Sequence, residues 1–91
     1  WVESAVGAYL LNHSRSGSYK LFYWRERNKE VDFVLTRNEI TIGIEVKSSF
    51  GASTGGTEAF SNRFSPKRVI LVGRNGIPLD TFLKTDPAEL F

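Results

Sequence analysis

Along residues 1–13 the apolar side chains Val2, Ala5, Val6, Tyr9 and Leu10 fall at the spacing of one helix face, so a helix is expected there. The polar run Asn12 to Ser18 breaks that period and reads as a loop. The pattern then changes. Tyr19 to Glu26, Val31 to Arg37 and Ile40 to Ser49 are rich in aromatic and β-branched residues and are separated by two short polar clusters, which predicts three strands in a meander. Phe50 to Gly56 holds three glycines, one serine and one threonine and reads as a loop, after which Thr57 can cap a short helix reaching about Phe64. Ser65-Pro66 ends it. Lys67 to Gly73 contains the run Val69-Ile70-Leu71-Val72, as expected of a strand covered on both faces. Arg74-Asn75-Gly76 turns the chain, and the tail offers short helical pieces at 78–83 and 87–90. The order helix, strand, strand, strand, helix, strand predicts an α/β domain with a mixed sheet, an antiparallel meander followed by a crossover to one further strand.

Strand alternation also predicts register. Ile40, Ile42, Ile44 and Val46 take one face of the third strand, and Thr41, Gly43, Glu45 and Lys47 the other. A two-residue loop at Asn38-Glu39 pairs Arg37 with Ile40, and the same register sets Asp32 opposite Glu45, with Lys47 two residues along. Facing carboxylates have Cβ atoms about 5 Å apart. Their repulsion is roughly 3 kcal/mol at an effective dielectric of about 20, so something must offset it. A divalent cation is one answer, because two carboxylates, a carbonyl and waters suit magnesium. Lys47 could then orient a water or stabilise charge on a phosphate. Glu3 borders the apolar stripe of the first helix and could add a third carboxylate if that helix packs over this face. The other answer is a salt bridge. A loop at Asn28-Lys29 would pair Arg27 with Glu30, Arg25 with Asp32 and Trp24 with Phe33, while Lys47 pairs with Glu45 or Glu30 on a solvated face.

Composition narrows the class. Ninety-one residues, 41% hydrophobic and 13% aromatic, make one globular domain and exclude disorder. The chain has no cysteine, which excludes disulfides, zinc–thiolate sites and cysteine nucleophiles, and an intracellular, cytoplasmic setting is expected. No apolar run approaches the roughly 20 residues of a membrane-spanning helix, so no membrane partner is expected. The net charge of +2 does not by itself indicate a nucleic acid. Arg63, Lys67, Arg68 and Arg74 nevertheless gather around the second helix and last strand, where they could contact DNA phosphates. The glycine-rich segment 51–57 lacks the Gly-Lys-Ser/Thr ending of a phosphate loop, and His13, the only histidine, has no metal-ligating companion. With no methionine and Trp1 at its start, the chain is expected to be a piece of a longer protein.

Glu3, Val31-Asp32-Phe33-Val34-Leu35 and Ile44-Glu45-Val46-Lys47-Ser48, in this element order, resemble the PD-(D/E)xK nuclease superfamily over nearly the whole chain. More narrowly, Phe22-Tyr23-Trp24-Arg25 with the Asp32 and Glu45 strands resembles the uncharacterised C-terminal domain that follows the ATPase module of many prokaryotic AAA-type ATPases. The resemblance implies a restriction-endonuclease-like core in which Asp32 and Glu45 bind magnesium or manganese, Lys47 is the catalytic lysine, Glu3 is an auxiliary metal-site acid and DNA phosphodiesters are hydrolysed. The motif's proline is replaced, since Val31 precedes Asp32, and the second helix lacks an assisting Lys or Gln. Two functions follow as expectations: a magnesium-dependent deoxyribonuclease, or an inactive scaffold that docks DNA, a partner protein, its own N-terminal ATPase module or a second copy as a homodimer.

Overall fold

The computed structural model of the chain describes residues 2–26, 29–47, 56–73 and 76–91. Eight elements follow in order: α1 (Val2–Ser14), β1 (Lys20–Glu26), β2 (Lys29–Arg37), β3 (Ile40–Lys47), α2 (Gly56–Phe64), β4 (Arg68–Gly73), α3 (Leu79–Phe82) and a 3-10 turn (Pro87–Leu90). The expected order is present, and the fold is α/β with a mixed four-stranded sheet flanked by helices. Strands run β1-β2-β3-β4, the first three antiparallel and β4 parallel to β3. The expected loop of residues 50–56 lies outside the described residues except at Gly56, which already belongs to α2. Most of the glycine-rich segment 51–57 is likewise outside them.

Each sheet face is covered for a reason visible in the alternation. Phe33 and Leu35 of β2, Ile42 and Ile44 of β3 and Val72 of β4 form one core with Val6 and Leu10 of α1 and with Phe82 and Leu90 of the tail. Burying each such side chain contributes about 1.5–3 kcal/mol. Gly7 lets α1 settle closely, since a Cβ there would stand 3.0 Å from Cζ of Phe33. On the other face Phe60 of α2 packs on Val34, Val69 and Trp24. Trp24 meets the rings of Phe60 and Phe64 at 5.6 and 6.0 Å.

Side-chain bonds tie the tail to α1 and β2, and the α1–β1 connection back to α1. Tyr9 Oη donates to the Thr85 carbonyl at 2.6 Å, and Tyr19 Oη donates to the Leu10 carbonyl at 2.5 Å. The Arg37 guanidinium lies 4.5 Å from the Phe91 ring centroid and donates to the Ala88 carbonyl. His13 is exposed in the last turn of α1, its Nδ1 3.0 Å from the Tyr9 carbonyl, in the surface and helix-end role its isolation suggests.

Burial, with lesser contributions from the charges of Asp86 and Tyr9, pushes the Tyr19 hydroxyl up to about 12 from the usual 10.0. The folded state therefore holds its proton more tightly than the unfolded chain. Below pH 10 this contribution to stability is fully present; as pH rises through about 12 it is lost, because the unfolded chain ionises first. Thermal melts across that window should show a fall that is shallower in Tyr19→Phe, and an identical slope in both proteins would contradict this origin.

Candidate functional site

The β2–β3 hairpin has the expected register. Arg37 pairs with Ile40, Thr36 with Thr41, Leu35 with Ile42, Val34 with Gly43 and Phe33 with Ile44. Asn38, a residue that tolerates the left-handed region, turns the hairpin at φ 57°. Continuing this register brings Asp32 opposite Glu45, but the ladder's paired residues end at Phe33–Ile44. Beyond that point a side chain takes over. The Val46 N–H donates to Oδ2 of Asp32 at 2.6 Å, so the carboxylate lies against the peptide joining Glu45 to Val46. A charge-assisted bond of this length is of the stronger kind.

The β1–β2 hairpin corrects the expected register. Glu26 pairs with Lys29, Arg25 with Glu30 and Trp24 with Val31, whereas beyond the irregularity Phe22 pairs with Val34 and Leu21 with Leu35. The innermost described pair is thus Glu26–Lys29 instead of a register containing Arg27–Glu30. Arg25 is paired with Glu30 and not with Asp32, and Trp24 with Val31 and not with Phe33. Asp32 therefore does not stand directly across from Arg25. Between the two stretches, Asp32 and Phe33 together oppose the single residue Tyr23, which is a β-bulge. A bulge bends its strand and re-aims side chains, and this one falls on the residue whose carboxylate reaches across to β3. The physical reason that alternation misplaces this register is that both faces of β1 are apolar, with Leu21 and Tyr23 on one and Phe22 and Trp24 on the other.

Glu45 and Lys47 alternate with the buried Ile42, Ile44 and half-buried Val46, which sets them on the α2 face of the sheet, and both are half-buried. In the parallel pair with β4, Glu45 stands beside Leu71 and Lys47 beside Gly73. Helix α1 packs over the opposite, apolar face through Val6 and Leu10. The condition under which Glu3 would join Glu45, α1 lying over the polar face, is therefore not met, and the Glu3 side chain lies outside the described ones. Among the described residues no three His, Cys, Asp or Glu side chains gather as a metal cluster.

The basic residues fall elsewhere. Arg63, Lys67 and Arg68 are exposed, and Arg68 pairs with Ile42 at the far end of the β3–β4 ladder from Lys47 and Gly73. Five strand residues at roughly 3.3 Å each separate the two ends by about 16 Å. The Arg63 guanidinium lies 5.5 Å from the Phe64 ring centroid. Arg68 stands three residues along β4 from Leu71, the partner of Glu45, and Arg74 lies outside the described residues. Two further features are not encoded in the strand and helix patterns. These are the Asp32–Val46 bond, foreshadowed only by a charged residue in an apolar strand, and the groove of about 900 Å³ between α1 and β1 lined by Gly7, Leu11, Leu21, Tyr23 and Phe33.

Asp32→Ala removes the acceptor of the Val46 N–H and is expected to cost about 1–3 kcal/mol, even though it removes a like charge near Glu45. Urea denaturation measures this, and unchanged stability would mean that the bond contributes nothing net.

No helix among the described residues is long and apolar enough to cross a membrane. A search of curated proteins finds no match. The whole element order from α1 to α3 falls within residues 1–85, which match a family model described as a domain of unknown function, and the chain belongs to that family, DUF4143.

Proposed function

We propose that this domain is a divalent-metal-dependent hydrolase of DNA phosphodiesters on a restriction-endonuclease-like core, joined in its full protein to an N-terminal AAA-type ATPase module. The observation that carries this reading is the bulged Asp32, whose carboxylate reaches the Glu45–Val46 peptide on the strand that also bears Lys47. A bulge at a half-buried acid, beside a second acid and a lysine, is the kind of local irregularity that strands use to aim functional groups.

The donor set fits magnesium or manganese in a sparse form. Two hard carboxylate oxygens from neighbouring strands match the protein's usual share of a magnesium site, the remaining positions going to water and substrate phosphate. Asp32 and Glu45 would hold the ion without Glu3, whose helix packs over the opposite face of the sheet. When bound, the ion polarises the phosphate and makes its bound water more acidic. Lys47 then provides a fixed positive charge, two residues from Glu45, to orient the attacking water or to stabilise charge growing on the phosphate. Arg63, Lys67 and Arg68 would serve flanking phosphates and not the scissile one, Arg68 lying about 10 Å along β4 from Leu71, the partner of Glu45.

The test is incubation of the purified domain with supercoiled and linear DNA in magnesium, in manganese and in chelator. Cleavage that appears with either ion and vanishes with chelator supports the reading; intact DNA under all conditions counts against it. A second reading has its own observation. Asp32 already has a structural task in tying β2 to β3, which suits a scaffold that binds DNA or protein without cutting. DNA retention in a mobility-shift assay without cleavage would favour it.

A further inference from the structure

We infer that β1 is a dimerisation edge, on which a second copy of this chain adds its own β1 antiparallel to form a continuous eight-stranded sheet. This does not depend on the hydrolase reading. Strand β1 ends the sheet, with β2 on one side and no strand beyond it among the described residues. Unpaired edges invite strand addition, and proteins usually blunt them with charge, bulges or covering loops. This edge is charged at its ends, with Lys20, Arg25 and Glu26, but aromatic at its centre. The large apolar side chains described as exposed are Leu11 at 50%, Phe22 at 49%, Tyr23 at 73% and Phe64 at 43%, and all four gather along it. Phe22 and Tyr23 belong to β1, Leu11 lines the groove between α1 and β1, and Phe64 packs on Trp24 of β1.

What points to a second copy is the order of residues in the strand. Reversed about Tyr23, Lys20-Leu21-Phe22-Tyr23-Trp24-Arg25-Glu26 is complementary to itself on the face of Lys20, Phe22, Trp24 and Glu26, while on the other face Leu21 meets Arg25. A two-fold axis at Tyr23 sets Lys20 of one copy opposite position 26, a glutamate, of the other, and Phe22 opposite Trp24, each pair occurring twice, as an isologous interface requires. Opposite charges and aromatic pairs directly across a strand pair each contribute about 0.2–1 kcal/mol. Moving the register two residues either way sets Lys20 against Trp24, or Glu26 against Phe22, and loses the charge match. Because directly paired residues share a face, Phe22 of one copy would extend the Trp24–Phe60–Phe64 aromatic layer of the other.

Analytical ultracentrifugation of the 91-residue chain tests this. The wild type should sediment with twice the chain mass. Tyr23→Lys sets two like charges on the axis at an exposed position and should sediment as a folded monomer, with its circular dichroism unchanged. Lys20→Glu should also weaken the dimer, and Lys20→Glu combined with Glu26→Lys should restore it, which a purely structural role for either residue would not do. A wild type that stays monomeric at sub-millimolar concentration overturns the inference, as does a dimer indifferent to Tyr23→Lys and Lys20→Glu.

Discussion

Lys47→Ala is expected to lower metal-dependent DNA cleavage by about 10²–10³-fold while leaving the fold intact, because removing one preorganised charge-stabilising group typically costs that much. The side chain is half-buried on the α2 face, and its backbone is held by the pairing with Gly73, so truncation leaves the β3–β4 ladder unchanged. A thermal melt close to wild type, together with lost turnover at saturating DNA, would separate a role in the chemistry from a role in binding. Cleavage that persists unchanged in Lys47→Ala would remove the lysine from the mechanism. Lys47→Arg keeps the charge but replaces a compact ammonium with a planar fork, so it should recover only part of the rate.

The second large effect is structural and acts on the same point of the sheet. Gly73→Ala is expected to destabilise the domain by roughly 2–5 kcal/mol, combining backbone strain of about 1–3 kcal/mol with overpacking of a similar size. Gly73 has φ +104°, a conformation that residues with a Cβ rarely adopt, and an added Cβ would collide with the carbonyl oxygen of Lys47. That carbonyl is backbone and cannot swing aside as a side-chain tip can. Gly17 is the control: its φ is also positive, at +81°, but a Cβ there meets nothing within 4 Å. Urea midpoints should therefore rank wild type above Gly17→Ala and Gly17→Ala well above Gly73→Ala. Equal losses at both positions would mean that the collision with Lys47 is relieved by local movement. Since the displaced atom belongs to Lys47, a folded Gly73→Ala protein should also lose cleavage more than it loses DNA binding.

How much of this was readable in the chain depends on how strongly each strand distinguishes its faces. Strand β3 alternates Ile40, Ile42, Ile44 and Val46 with polar or small residues, so its register with β2 follows from matching apolar faces, and the observed pairs agree from Arg37–Ile40 to Phe33–Ile44. Strand β1 is apolar on both faces and leaves its register undetermined by that criterion. The bulge then decides it, and the Arg25–Asp32 pairing expected from simple alternation is lost. The short apolar run of β4 located that strand by its length and β-branched residues, although it is an edge strand in which Val72 alone is fully buried, and α1 was located by the spacing of Val6 and Leu10. The contacts that fasten the tail, Tyr9 to Thr85 and Arg37 to Ala88 and Phe91, link positions far apart in sequence through side chains, and no local pattern encodes them. The candidate site divides in the same way. Glu45 and Lys47 were placed correctly on one face by alternation. The position of Asp32 depends on a bulge, and the acid of α1 follows a helix that packs on the other side of the sheet.

The claim at the centre of this account is that Asp32 and Glu45 together bind a divalent cation. Calorimetric titration of manganese into the wild-type domain, Asp32→Ala and Glu45→Gln tests it without requiring the right DNA substrate. Saturable binding near one ion per chain is expected in the wild type, with its loss in both variants, each shown to be folded by circular dichroism. No binding to the folded wild type, or binding unchanged in the two variants, would contradict it.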